Sequence, residues 1–160
     1  MAGKGKHGPN RLSNYKAIHQ TVMEQFLRED FVLSENLSFE DLGDGFLTLE
    51  GRVECVGNIY IDVFKRIEIL EGDGSNALVR TVDYSYNAVV RGVGNILRYD
   101  SPHPDHNKEH HRHHFDVFNC QEILPPTFIA EEQQRPTLGE VIEEVRGWYF
   151  DNLDELRKHL

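Results

Sequence analysis

The feature that most constrains the fold is a regular succession of short apolar runs and turn-forming segments between residues 31 and 99. The runs are rich in Val, Ile, Leu, Phe and Tyr, and the turns GDG, VGN, EGDGSN and RGVGN separate them at hairpin spacing. Each run alternates apolar with polar residues over part of its length, as expected for strands with one buried face. This pattern predicts an antiparallel β-meander of about five strands.

Amphipathic segments flank the predicted meander on both sides. Residues 13–28 carry apolar side chains near helical spacing, with Ser13 available as the N-cap. After a predicted linker over residues 124–136, Thr137 and Glu140 have the spacing of a capping box at the start of a last helix. We therefore predict an α+β fold: an antiparallel β-meander sheet of about five to six strands, with an N-terminal and a C-terminal helix packed on one face.

The chain has the length of one ordinary domain, with 160 residues. Its first residues are basic and Gly-rich and no apolar h-region follows, so we predict a disordered tail over residues 1–12 and a single domain over residues 13–160. Cys55 and Cys120 are isolated and are predicted to be small buried thiols. No apolar run approaches the length of about 20 residues that a membrane span needs, so we expect a cytoplasmic protein.

The charge of the chain limits its binding partners. A formal net charge of −10 argues against nonspecific coating of nucleic acid, which draws on clustered Lys and Arg. The charge is uneven, however: residues 121–160 hold nine acids and four bases, whereas residues 80–114 hold five bases and four acids. A localised site in the second segment can therefore still attract an anion.

Six of the nine histidines lie in one stretch, residues 98–118, with the sequence RYDSPHPDHNKEHHRHHFDVF. Its prolines and its lack of periodicity predict a loop over residues 100–112, followed by a returning strand. If residues 111–118 continue as that strand, its period of two places His111 and His113 on one face. The other face then takes His110, Arg112 and His114.

The residues just before this loop suggest acid/base chemistry. Arg98, Tyr99 and Asp100 end a predicted strand, so a guanidinium, a phenol and a carboxylate meet several imidazoles in a short span. Cleavage of RNA without a metal needs a base for the 2′-hydroxyl proton, an acid for the leaving 5′-oxygen and a cation for the phosphorane. We assign His111 and His113 as the acid/base pair. Arg98 is then the phosphate clamp, and Asp100 orients one imidazole.

Aromatic side chains are the expected substrate contacts. Tyr84 and Tyr86 of the YSY motif share one face of their strand, and on an open face they would stack bases or donate hydrogen bonds to a phosphate. We predict that Tyr86 and Tyr99 position the substrate. Tyr84, Arg112 and His103 are predicted to bind it.

Two other readings of the histidines remain open. His103, His111 and His113 are a candidate zinc or iron site, because neutral imidazole is a common ligand of both metals, although no HExxH or CxxC frame accompanies them. Alternatively, the segment is an exposed part of a non-enzymatic interaction module whose histidines sense pH, with Arg98 and Asp100 forming a surface ion pair.

The order of these motifs resembles the TumE-type toxins of bacterial and archaeal toxin-antitoxin systems. The similarity rests on four features in this order: a YSY strand (Tyr84–Tyr86), an RYD strand end (Arg98–Asp100), a loop with proline and histidine (Pro102 and His103) and a histidine-rich segment (His110–His113). The turn EGDGSNALV and the helix beginning at Thr137 are also similar. The resemblance covers residues 60–155.

The sequence also departs from that pattern. Glu109 replaces a proline before the double histidine, Arg112 replaces a lysine, and the first 58 residues have no counterpart in it. The resemblance implies a small toxin that a cognate antitoxin protein inhibits and that acts on RNA to block translation. Together with the chemistry of the histidines, the resemblance predicts an endoribonuclease that needs no cofactor. A homodimer is compatible with this prediction.

Elemental analysis of untagged protein separates the acid/base site from the metal site. If the histidines form an acid/base site, we expect the dialysed protein to contain no stoichiometric zinc or iron. One equivalent of either metal that survives dialysis would instead favour ligation by imidazoles.

Overall fold

The computed structural model describes residues 7–101 and 109–160. Within these ranges the chain forms a nine-stranded antiparallel sheet, three α-helices and three short 3-10 helices. The strands are β1 (Asn10–Arg11), β2 (Val32–Glu35), β3 (Ser38–Asp41), β4 (Phe46–Cys55), β5 (Ile59–Glu71), β6 (Leu78–Val90), β7 (Gly94–Asp100), β8 (His110–Asp116) and β9 (Gln121–Ile129). The helices are α1 (Leu12–Arg28), α2 (Leu138–Asp151) and α3 (Leu153–Arg157).

The sheet is a meander from β4 to β9. Its strand order is β2-β4-β5-β6-β7-β8-β9, while β3 also pairs with β4 and β1 pairs with β6. The predicted α+β class, with an antiparallel sheet and terminal helices, is confirmed. The strand count is larger than predicted, because residues 31–41 form two short strands and the predicted linker forms another.

The start of the chain differs from its prediction in two details. Asn10 and Arg11, inside the segment expected to be a tail, pair with Val79 and Leu78 of β6. Helix α1 has Arg11 at its N-cap position with no side-chain hydrogen bond, so Ser13 lies in the first turn and the prediction that it caps the helix is wrong. Residues 1–6 of the expected tail lie outside the described residues.

Strand β9 includes residues 124–129, the first part of the segment predicted as a linker. Among the described residues it pairs only with β8, and a register shift between Arg112 and His114 accommodates Pro125 and Pro126. Proline lacks the backbone N–H that an inner strand needs, but an edge strand tolerates it. The two prolines therefore predicted a linker where the structure has an edge strand. His110 and its successors, predicted as the end of a loop, belong to β8.

The helices cover one face of the sheet and leave the other open. Alternate residues of β5, β6 and β7 point toward the helices and pack in a continuous core with Val141, Ile142 and Val145 of α2 and Phe26 of α1. Cys55 belongs to this core as predicted, whereas Cys120 is exposed. No helix in the described residues is long and apolar enough to cross a membrane.

The predicted capping box at the start of α2 is present. The Thr137 hydroxyl accepts a hydrogen bond from the backbone N–H of Glu140 at 3.2 Å, and the Glu140 carboxylate accepts one from the Thr137 N–H at 3.0 Å. These two bonds satisfy backbone donors that the first turn of a helix otherwise leaves unpaired.

Loss of this cap is expected to destabilise the fold. Thr137→Ala should lower the free energy of unfolding by about 1 kcal/mol, because the N–H of Glu140 loses its partner. Ser13→Ala is the matched control, since Ser13 is exposed and caps nothing. Urea denaturation of both variants checks the difference, and equal losses would contradict the assignment of the cap.

Candidate active site

Strands β7 and β8 distribute the motif residues between the two faces of the sheet. Arg98 pairs with His113, and Asp100 pairs with His111, on the face that the helices leave open. The intervening residues point the opposite way, toward α2. His111 and His113 therefore share one face with Arg98 and Asp100, as the period of two indicates.

His113 lies between two carboxylates on the open face. Its Nε2 is 3.0 Å from Oδ2 of Asp100, and its Nδ1 is 2.6 Å from Oε1 of Glu122 on β9. A neutral imidazole has one N–H and donates to only one of them, whereas an imidazolium donates to both. Asp100 and Glu122 thus fix the orientation of the ring and supply acceptors for both of its nitrogens.

Arg98 completes this group, which we call the His113 cluster: Arg98, Asp100, His111, His113 and Glu122. The guanidinium Nε donates to Oδ2 of Asp100 at 3.1 Å. Its Nη2 is 3.4 Å from both ring nitrogens of His113, which places it over the ring rather than at one nitrogen. Because a guanidinium has five N–H donors, donors remain for an anion after the bond to Asp100.

His111 stands beside this arrangement with its own acidic neighbour. Its ring centroid is 6.3 Å from that of His113 and 6.1 Å from that of Phe128. Its Nε2 is 3.4 Å from Oε2 of Glu109. With Glu109 included, three carboxylates face one guanidinium, so the protonation of the two rings decides the net charge of the site.

The sequence prediction did not identify Glu122. Its position on the open face follows from strand β9, which the prolines concealed. A strand assignment for residues 121–123 opposite β8 would have found it, because Glu122 pairs with Phe115, which lies two residues beyond His113.

The side chains that point toward α2 form a different network. The Arg112 Nη2 donates to Oε2 of Glu144 at 2.5 Å, and the Tyr99 hydroxyl donates to Oε1 of Glu144 at 2.6 Å. Burial, reinforced by Glu144, raises the pKa of Tyr99 to about 12. Arg112 also contacts His114. Tyr99 and Arg112 thus lie beneath α2 and attach it to the sheet, on the face opposite His111 and His113, and their contacts with substrate stay predictions.

Tyr84 and Tyr86 also lie on the helix-covered face. Their exposed fractions are 6% and 1%, and their rings stack with centroids 5.4 Å apart. The Tyr84 hydroxyl is 2.8 Å from Nδ1 of His110, which is buried as well. The expectation that these tyrosines stack bases on an open face is therefore wrong. The period of two shows that they share a face, but not which face the helices cover.

The predicted metal site includes a residue that lies outside the described part of the chain. Among residues 7–101 and 109–160, no three His, Cys, Asp or Glu side chains are arranged to hold a metal ion. His103 lies outside these ranges. The site formed by His103, His111 and His113 thus stays a prediction, as does a substrate contact of His103.

The fold and the His113 cluster together define a small α+β protein with helices on one sheet face and a histidine, arginine and carboxylate site on the other. Comparison with protein-family models matches residues 21–149 to the family Toxin TumE. The chain belongs to the TumE toxin family. The match begins within α1. It therefore includes most of the first 58 residues, for which the motif resemblance had no counterpart. No curated protein and no solved structure matches the chain.

The buried His110 generates a test of stability against pH. Burial, assisted by the nearby charge of Arg135, lowers the pKa of His110 from 6.5 to about 4. Below pH 6.5 the imidazole of His110 is protonated in the unfolded chain but stays neutral in the folded protein. The free energy of unfolding therefore keeps its full value above pH 6.5 and declines as the pH falls toward 4. His110 should account for about 1–2 kcal/mol of the loss between pH 7 and 5.

The variant His110→Asn removes this titration and is expected to lose less stability than the wild type over that interval. Urea denaturation at pH 7, 6 and 5 measures it, and the carboxylates and His19 titrate alike in both proteins. Identical pH dependence in the two proteins would show that His110 is not held neutral.

Proposed function

We propose that this toxin is an endoribonuclease in which His111 and His113 carry out metal-independent acid/base chemistry. The observation that supports it most is the pair of imidazoles 6.3 Å apart, with an arginine beside them, on an exposed sheet face. A catalytic group reaches the atom that it protonates over about 3 Å, so one phosphate between the rings can meet both. Membership of the TumE family supports a toxin role, and RNA cleavage that blocks translation would account for toxicity.

The two histidines have distinct roles in the proposed reaction. His111 takes the proton from the 2′-hydroxyl, whose oxygen forms a bond to phosphorus. His113, which carries a proton on each nitrogen when it donates to both carboxylates, gives one to the leaving 5′-oxygen as the P–O5′ bond breaks. The products are a 2′,3′-cyclic phosphate and a 5′-hydroxyl, with no net change in protons on the pair.

Arg98 stabilises the negative charge that develops on the phosphorane oxygens. Its Nε already donates to Asp100, so the phosphate binds to the remaining donors at the Nη edge. Asp100 keeps the guanidinium and the His113 ring in place, and Glu122 holds the other ring nitrogen. The negative carboxylates oppose binding of RNA, so a protonated His113 also contributes to attraction of the substrate.

Both nitrogens of His113 face carboxylate oxygens within 3.0 Å. One of these contacts therefore has to open before His113 gives a proton to the leaving 5′-oxygen, while the other contact keeps the ring in place. The proposal further includes a cognate antitoxin protein as the inhibitor, and RNA in the cytoplasm as the target.

The variant His113→Ala tests the proposal. It should lose RNA cleavage by at least about 100-fold, the usual range for a general acid or base, and it should no longer inhibit growth when induced. Cleavage by the wild type should persist in EDTA and leave 2′,3′-cyclic phosphate ends. Gel analysis of RNA from induced cells and of purified RNA measures both properties.

The matched control is His114→Ala, because His114 is the next residue on β8 and points toward α2. It should retain cleavage and toxicity, while circular dichroism checks that both variants fold. Full toxicity of His113→Ala would refute the acid/base assignment. Toxicity of the wild type without any RNA cleavage would instead support the non-enzymatic interaction module.

A further inference from the structure

A recess lies on the sheet face opposite the His113 cluster. It is bounded by α1, the start of α2 and strands β5 and β6, and its volume is about 430 Å³. Pockets for small molecules commonly measure about 300–1,000 Å³ and combine apolar walls with a few polar groups. Here Val22 and Leu138 supply apolar walls, Tyr84 and Tyr86 supply aromatic rings, and Lys65 supplies a cation.

Lys65 stands where the strand pattern requires an apolar residue. On β5 it lies between Val63 and Ile67 on the helix-covered face, and both of these neighbours are buried. Its partners across the sheet, Leu49 on β4 and Tyr84 on β6, are buried as well. Removal of an ammonium from water costs several kcal/mol unless a partner compensates it. Departures of this kind from local rules concentrate at functional sites.

The compensation for Lys65 within the described residues is incomplete. Its Nζ is 5.8 Å from the ring centroid of Tyr15 and 5.9 Å from that of Tyr86. Such cation–π contacts contribute about 0.5–2 kcal/mol each, and the side chain of Lys65 is partly buried. No carboxylate among the described residues forms an ion pair with it, in contrast to the next residue, Arg66, which is 2.5 Å from Asp83 on the open face.

The charges around the recess favour one negative group on a ligand. Burial lowers the pKa of Lys65 to about 8, so the amine is mainly protonated at neutral pH. Burial, assisted by Lys65, lowers the pKa of His19 to about 4, so this second lining side chain stays neutral there. A ligand anion would therefore meet one ammonium, beside aromatic faces that suit a flat body.

We propose that this recess binds a small organic anion, a carboxylate or a phosphate monoester on an aromatic body, with the acidic group at the Lys65 ammonium. The body lies against Tyr86 and Tyr84 and is enclosed by Val22 and Leu138. The site is separate from the His113 cluster, because the two lie on opposite faces of the sheet.

Isothermal titration calorimetry of the full chain at pH 7 with four probes of similar size tests the proposal. Benzoate and phenyl phosphate carry the acidic group, benzyl alcohol is neutral and benzylamine is positive. At least one anion should bind at least about tenfold tighter than the neutral and positive probes. Preference for phenyl phosphate identifies a phosphate ester as the ligand class, and preference for benzoate identifies a carboxylate.

Two adjacent variants locate the binding. Lys65→Met should abolish the preference for anions. It is expected to fold, because Lys65 is partly buried on the helix-covered face and replacement of a buried charge by an apolar side chain of similar size is often neutral or stabilising. Arg66→Met is the matched control, since it removes an equal charge from the opposite face and should leave anion affinity unchanged. Thermal unfolding of both variants confirms that they fold.

Equal affinity for all four probes, equal losses in the two variants, or no binding of either anion at millimolar concentration would each overturn the proposal. The titrations contain no RNA, so their outcome is independent of ribonuclease activity. A toxin that does not cleave RNA can still bind anions at Lys65. Equally, a toxin that cleaves RNA can lack an anion site at Lys65.

Discussion

The arrangement of the whole site depends on the register between β7 and β8. Because successive side chains of a strand point to opposite faces, this pairing sends Arg98 and His113 outward and Tyr99 and Arg112 inward. A shift of β8 by one residue would turn Arg112 outward and bury the imidazoles of His111 and His113 under α2. The ion pair from Arg112 to Glu144 opposes such a shift, since it holds the inward set against the helix. The inward network therefore maintains the geometry of the outward one.

Much of this architecture is predictable from the sequence, because its local signals agree with the fold. The hairpin turns predict the meander, the capping box predicts where α2 begins, and the period of two pairs His111 with His113. Two parts are not predictable in this way. Periodicity does not show which face the helices cover, so Tyr84 and Tyr86 were expected on the wrong side. The prolines of β9 resemble a linker, and for that reason Glu122 was missed.

The arginine at position 112 has a physical reason in this chain. Where the family resemblance has a lysine, Arg112 donates through Nε and Nη2 to Glu144 and through Nε to the Tyr99 hydroxyl as well. A lysine is a single point charge and does not form this fork. In this chain the fork attaches α2 to the sheet from the helix-covered face.

Strand β9 has one neighbouring strand in the described part of the chain, yet it provides Glu122, one of the two carboxylates that hold His113. Edge strands separate from a sheet at lower free energy than inner strands do. Detachment of β9 would free Nδ1 of His113, remove a negative charge from the cluster and leave Asp100 as its one remaining carboxylate contact among the described residues. The electrostatic character of the open face is therefore coupled to whether this edge strand stays attached to the sheet.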